Sequence, residues 1–232
     1  MKTTDDKAIV QDYFNTVGFD RWRRIYGDGT VNKVQLDIRT GHQQTVDTVL
    51  EWLGADGTLP GLSICDAGCG VGSLSIPLAE MGAQVHGTDL SSKMIEEAQH
   101  RAQAALGHRE NPTFEVQDLE GLTGEYHTVI CLDVLIHYPS NKAMEMIQHL
   151  SSLASDRVIF SFAPWTLGYS LLKKIGSFFP GPSKATRAYL HHEFDIVDML
   201  MTAGWQVDRR AMTKTSFYFS RILEAKRAPK VS

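Results

Sequence analysis

Ile64-Cys65-Asp66-Ala67-Gly68-Cys69-Gly70-Val71-Gly72 is the stretch that decides the fold. Apolar residues lead into an acid, and three alternating glycines open a predicted helix. Glycine lets the backbone turn sharply and pass close to a ligand. A helix N-terminus then offers free N–H groups and partial positive charge to an anion.

From this run to residue 163 the pattern alternates strand and helix. Strands are predicted near 61–65, 84–88, 112–117, 127–132 and 157–163, and helices near 70–81, 91–106 and 140–154. Alternation of this kind builds right-handed βαβ units and a parallel sheet. Ser91 reads as the N-cap of the second helix, with Met94, Ile95, Ala98 and Ala102 facing the sheet. Pro77 falls inside the first helix and should kink or shorten it.

Residues 5–60 carry helical patterning. Ile9, Val10, Tyr13, Phe14 and Val17 form one stripe, with Gly18 as its predicted stop. Val46, Val49, Leu50 and Leu53 form a second, ended by Gly54 and Asp56-Gly57. Residues 164–190 break the alternation with aromatics, leucines, prolines and cations. A helix near 192–203 and two strands, 205–211 and 216–225, follow; the strands read as a hairpin on the sheet edge. The chain therefore divides into an N-terminal helical arm, 1–60, and a domain, 61–232, with a cap insert at 164–190.

A chain of 232 residues with 43% apolar and 22% charged content suits one soluble α/β domain. A net charge of −4 argues against a nucleic-acid partner, which calls for a basic face. Cys65, Cys69 and Cys131 are odd in number and read as reduced, intracellular thiols. No apolar stretch approaches the roughly 18–20 residues that span a bilayer, and residues 1–6 have no signal-peptide character. The expected location is cytoplasmic, with peripheral contact to a membrane as its variant.

Ligands of open α/β sheets bind beyond the carboxyl ends of the strands, and acids stand at those ends. Asp66 ends the first strand. Asp89 ends the second, 89 − 66 = 23 residues on, the distance for an acid that takes both ribose hydroxyls. Asp118-Leu119 follows the third, where an acid takes an adenine amino group and its neighbour covers the ring. Each alone reads as a turn or cap residue; together they read as a nucleotide-type cofactor site. Gly68-x-Gly70-x-Gly72 departs from the G-x-G-x-x-G spacing of NAD folds, with Ser73 at the diagnostic position. S-adenosylmethionine (SAM) fits better, its carboxylate at the glycine turn and its amino group near Asp66, through water. The predicted set is Asp66, Gly68, Cys69, Gly70, Asp89, Leu90, Asp118, Leu119 and Leu132.

Further segments narrow this. Tyr13-Phe14-Asn15, the run Gly18–Gly27, Cys65–Leu74, Asp133-Val134-Leu135-Ile136-His137-Tyr138-Pro139 and Phe179-Pro180-Gly181-Pro182 resemble the magnesium protoporphyrin IX O-methyltransferase family. The resemblance covers nearly the whole chain and is of cyanobacterial type, without the plastid-targeting segment of plant members. It implies a Rossmann-like class I SAM-methyltransferase fold. The sheet would have seven mostly parallel strands in the order 3-2-1-4-5-7-6, with strand 7 antiparallel. It implies methyl transfer from SAM to one propionate of Mg-protoporphyrin IX, with magnesium entering only as part of the substrate and no metal held by the protein.

The resemblance marks Tyr26 and His137 as catalytic. A propionate titrates near 4.3 and is ionised at neutral pH, so no general base is required. Orientation of the carboxylate, or approach of His137 to the magnesium, is the preferred role. Arg21 and Arg24 are candidates for the second propionate. Trp165, Lys174 and Phe178, in the insert, are candidates to cover the porphyrin plate. The insert also reads as a helix packed on the sheet or as an interfacial segment. The resemblance further implies a monomer that receives its substrate from the magnesium chelatase large subunit. Alternatives are a SAM methyltransferase of another carboxylate or a quinone ring, and a porphyrin carrier that keeps the fold.

Overall fold

A computed structural model of the chain describes residues 6–27, 29–57, 59–107, 110–166 and 189–228. Their strands form one sheet: β1 (Ser63–Ala67), β2 (Gln84–Asp89), β3 (Thr113–Val116), β4 (Tyr126–Cys131), β5 (Ala154–Phe162), β6 (Trp205–Lys214) and β7 (Phe219–Arg227). The order is β3-β2-β1-β4-β5-β7-β6, as predicted. β1 to β5 pair parallel; β7 runs antiparallel to both β5 and β6. The predicted hairpin forms, but only β6 lies at the edge, because β7 pairs with β5.

Side chains alternate across the sheet with period two. Ile64, Ile130, Ile159 and Ile222 pack on one face against α3 (Lys33–Ala55) and α4 (Ser75–Glu80). Cys65, Val129, Val158 and Leu223 pack on the other, under α6 (Ser140–Ser152) and α7 (Glu193–Thr202). Covering both faces is what a parallel sheet requires. α6 contributes Ala143, Met146, Ile147 and Leu150 to this core. Truncating the fully buried Ile147 to Ala would cost about 2–5 kcal/mol. On α3, Val46, Val49 and Leu53 are buried as expected. Asn32 starts that helix by accepting from the Gln35 amide while the Gln35 side chain returns to the Asn32 amide.

α5 (Ser92–Leu106) follows its pattern closely: Ser91 caps it, Met94, Ile95, Ala98 and Ala102 are buried, and Gly107 ends it in the left-handed region. The first predicted sheet helix does not. The helix expected over 70–81 begins only at Ser75 and lasts six residues. Residues 70–74 are turns, and Pro77 sits in the first turn, where its missing N–H costs nothing. The stop predicted at Gly18 is also displaced. The chain breaks at Thr16, between α1 (Asp6–Asn15) and α2 (Val17–Ile25), and Gly18 lies inside α2. A Cβ there would stand 2.5 Å from the Tyr13 ring, so the glycine permits the two helices to pack. Among the described residues no helix is long and apolar enough to cross a membrane.

Candidate active site

A cavity of about 470 Å³ opens over the carboxyl ends of β1, β2 and β4. Every residue predicted for the cofactor lines it, and so do Tyr26, His137 and Arg21. Its floor is set by the glycine turn. Gly68 has φ +84, and a Cβ on it would lie 2.2 Å from Val134 Cγ2. The Gly68 and Cys69 amides donate to Thr88 O at 2.7 and 2.9 Å, and the Gly70 amide donates to Asp89 Oδ2 at 3.0 Å. These donors are thus engaged with the end of β2. α4, the helix expected to open on this turn, starts only at Ser75.

The acids are placed differently from one another. Asp66 is buried, and Ser75 Oγ donates to it at 2.6 Å. Burial pushes its carboxyl up to about 6, against the pull of the Ser75 bond. Asp89 accepts from Ser91 N at 2.8 Å on its other oxygen. Burial raises its pKa too, with the Ser91 and Gly70 amides working the other way. Asp118 caps the 3₁₀ turn Leu119–Gly121 through Glu120 N at 3.2 Å, and Leu119 is buried beside it. The set fits a nucleoside cofactor with an amino-acid tail. Asp89 is held by two amides and keeps lone pairs for a diol, while Asp66 is a buried carboxyl suited to an ammonium.

Tyr26 and His137 stand in the same cavity. Tyr26 follows α2, and its carbonyl accepts from Arg101 Nη1 at 2.6 Å. Arg39 and Arg101 between them also hold the Arg23, Arg24, Ile25 and Gly29 carbonyls, fixing the end of the helix. The Tyr26 ring lies 5.3 Å from Trp22 and 4.4 Å from His42. Burial, and then the charges of Asp133 and Asp89, push its phenol well above the ordinary value. His137 sits in the 3₁₀ turn Leu135–His137 beyond β4, edge-on to Phe14 at 5.4 Å. Its Nδ1 is buried without a hydrogen-bond partner. Burial lowers its pKa to about 4, despite Asp133 pulling upward, so the ring is neutral at physiological pH.

The substrate candidates divide. Arg21 reaches the cavity wall. Arg24 is exposed, with its Nε donating to Asp20 O. Trp165 is exposed and stacks on His192 at 4.5 Å, away from the wall. Lys174 and Phe178, like most of the 164–190 insert, lie outside the described residues.

Sequence reasoning misses a third group. Asp133 follows β4 with φ +58, the left-handed region, unusual for a residue that is not glycine. Its carboxylate accepts from His42 Nδ1 at 2.9 Å, from the Tyr218 hydroxyl at 2.8 Å and from Ser161 Oγ at 3.2 Å. Burial works to raise its pKa, but these bonds outweigh it and leave the carboxyl below its usual range. A signal for His42 does exist: 42, 46, 49 and 53 fall on one helical stripe, which puts a histidine on the buried face of α3.

Residues 131–227 match the family model for the magnesium-protoporphyrin IX methyltransferase C-terminus, and residues 64–156 match a methyltransferase domain model. The magnesium-protoporphyrin O-methyltransferase of Synechocystis is 65% identical over 224 residues, 97% of this chain and 97% of that one. The chain belongs to the magnesium-protoporphyrin O-methyltransferase family. The chloroplastic magnesium protoporphyrin IX methyltransferase of Arabidopsis thaliana is 57% identical over 221 residues, 95% of this chain and 71% of that one. A crystal structure of magnesium protoporphyrin IX methyltransferase from Synechocystis, with bound SAH, superposes with a TM-score of 0.90 at 64% identity. The match covers 96% of this chain and 100% of that one. The seven-stranded class I methyltransferase sheet that the resemblance implied is therefore this family's fold.

Proposed function

We propose that this chain transfers the methyl group of SAM to a propionate carboxylate of Mg-protoporphyrin IX. The products are the monomethyl ester and S-adenosylhomocysteine (SAH). One observation carries this reading: Asp66 and Asp89 share a single cavity with Tyr26 and His137, in a chain 65% identical to the Synechocystis enzyme over 97% of its length.

Bound SAM supplies an electrophilic methyl on a sulfonium sulfur. In this reading Asp89 takes the ribose hydroxyls, Asp66 the ammonium, and Asp118 with Leu119 the adenine. Cys69, Leu90 and Leu132 form walls around it, and Gly68 and Gly70 let the backbone come close. Tyr26 and His137 orient the acceptor carboxylate. Orientation of two reactants alone is worth up to about 7–11 kcal/mol in favourable cases. The neutral His137 ring suits either a hydrogen bond to the acceptor or a lone pair toward the porphyrin magnesium. In this reading Arg21, on the cavity wall, meets the second propionate, while Arg24 and Trp165, which do not line the cavity, receive no role. Residues 1–60 act as the arm over the domain that begins at residue 61. Hand-over from the chelatase large subunit and a monomeric state rest on the resemblance, and a cytoplasmic location with weak membrane contact rests on the composition.

The test is a titration with Mg-protoporphyrin IX followed at the Soret band, with zinc and metal-free protoporphyrin in parallel. Binding by the magnesium form and SAM consumption with it are expected. Equal turnover of the metal-free porphyrin would remove the magnesium contact of His137. No Soret change would remove the acceptor.

A further inference from the structure

His42 Nδ1 lies 2.9 Å from Asp133 Oδ2, while its Nε2 is buried in the cavity wall with no hydrogen-bond partner. An ionised Asp133 can only accept, so Nδ1 carries the proton, and the neutral form of the ring keeps its lone pair on Nε2. That is the arrangement of a base oriented by a carboxylate. A buried nitrogen left unpaired is unfavourable unless a ligand group completes it.

We propose that His42, oriented by Asp133, is a further catalytic residue, whose Nε2 takes the proton of an acceptor carboxyl that enters the cavity protonated. The proposal rests on the acceptor reading above and deepens it. A carboxyl entering this cavity meets apolar walls and the carboxyls of Asp66, Asp89 and Asp133, whose burial and like charge favour its neutral acid against the pull of Arg21 and the sulfonium. The same surroundings already push Asp66 up to about 6. A neutral acid is a poor nucleophile, so a proton acceptor is needed where a free propionate in water needs none.

His42 suits that task better than His137. His137 packs against Phe14 and has no hydrogen bond to a carboxylate. His42 has Asp133 behind it, and Asp133 is itself held by Tyr218 and Ser161. The other groups facing His42 are the Tyr26 ring at 4.4 Å and the carboxyl of Asp66, close enough to be influenced electrostatically. In the step, the acceptor O–H bond breaks, its electron pair stays on oxygen, and the proton joins the Nε2 lone pair. The freed carboxylate oxygen bonds the methyl carbon, and the C–S electron pair leaves with sulfur. The imidazolium, stabilised by Asp133, later returns its proton to water.

The test is ¹⁵N NMR of histidine-labelled protein at pH 7, with His42 assigned by His42→Gln. Free protein should show the Nδ1–H tautomer. The dead-end complex with SAH and Mg-protoporphyrin IX should show His42 as the imidazolium. Asp133→Asn keeps the side-chain size and tolerates positive φ. It should abolish the imidazolium signal and lower kcat/KM for the porphyrin about a hundredfold, with SAH affinity unchanged. Four results would overturn the proposal. They are an Nε2–H tautomer in free protein, a neutral His42 in a complex whose Soret shift shows bound porphyrin, an imidazolium that survives Asp133→Asn, and turnover unaffected by Asp133→Asn. Absence of any Soret shift would overturn the acceptor reading, and this proposal with it.

Discussion

The Gly70 amide donates to Asp89 Oδ2 at 3.0 Å, across 19 residues of sequence. This bond fastens the glycine turn after β1 to the acid at the end of β2, and it sets the direction of the carboxylate that faces the cavity. Asp89→Asn keeps the shape but removes the charge and turns an NH₂ toward one of the two amides. A hydrogen bond to a charged group contributes about 1.5–3 kcal/mol, so the Kd for SAH is expected to rise about 10- to 100-fold by calorimetry. An unchanged Kd would mean that Asp89 does not contact the cofactor.

Asp66 predicts a pH dependence. Its carboxyl titrates at about 6 in the free fold, above the ordinary 3.8. The contribution of Asp66 to free-protein stability is therefore fully present below pH 3.8 and is lost as pH rises through about 6. Binding of a cofactor ammonium needs the ionised form and runs the other way. The rise in Tm produced by SAM should shrink as pH falls from 7 to 5, read by thermal shift at fixed SAM. A constant increment would move the ammonium away from Asp66.

Tyr26→Phe and His137→Ala separate cofactor from acceptor. Both residues line the cavity, and neither side chain hydrogen-bonds to the glycine turn. Each variant should lose turnover while keeping the SAH Kd of the parent. Loss of SAH binding in either would place that residue on the cofactor side.

Gly68 is constrained twice, by φ +84 and by Val134 Cγ2, 2.2 Å from where a Cβ would stand. A non-glycine residue held there costs about 1–3 kcal/mol. At roughly 2–4 °C per kcal/mol for a domain of this size, Gly68→Ala should lower Tm by several degrees. Adding Val134→Ala removes the clash but not the strain, so the double variant should cost less than the sum of the two single changes. Simple additivity would show that Val134 has room to yield.

Much of the fold is legible in the sequence because each element carries its own local signal. Ile64/Cys65 and Val158/Ile159 alternate between the two cores, and Ser91 and Gly107 mark the ends of α5. What escapes is what depends on distant partners. Gly18 looks like a stop until Tyr13 is seen packed against it. The glycine run looks like a helix start until its amides are found on Thr88 and Asp89. The cofactor acids are legible because they close successive strands. The pairing of His42 with Asp133 is not, since 91 residues separate them and the positive φ of Asp133 leaves no mark in the sequence.

The central claim is methyl transfer to Mg-protoporphyrin IX, and its most direct test is an incubation of the purified chain with methyl-labelled SAM and Mg-protoporphyrin IX, analysed by mass spectrometry. A porphyrin carrying one labelled methyl ester, formed in equal amount to SAH, is expected. Porphyrin bound and recovered unesterified, with SAM unconsumed, would contradict it.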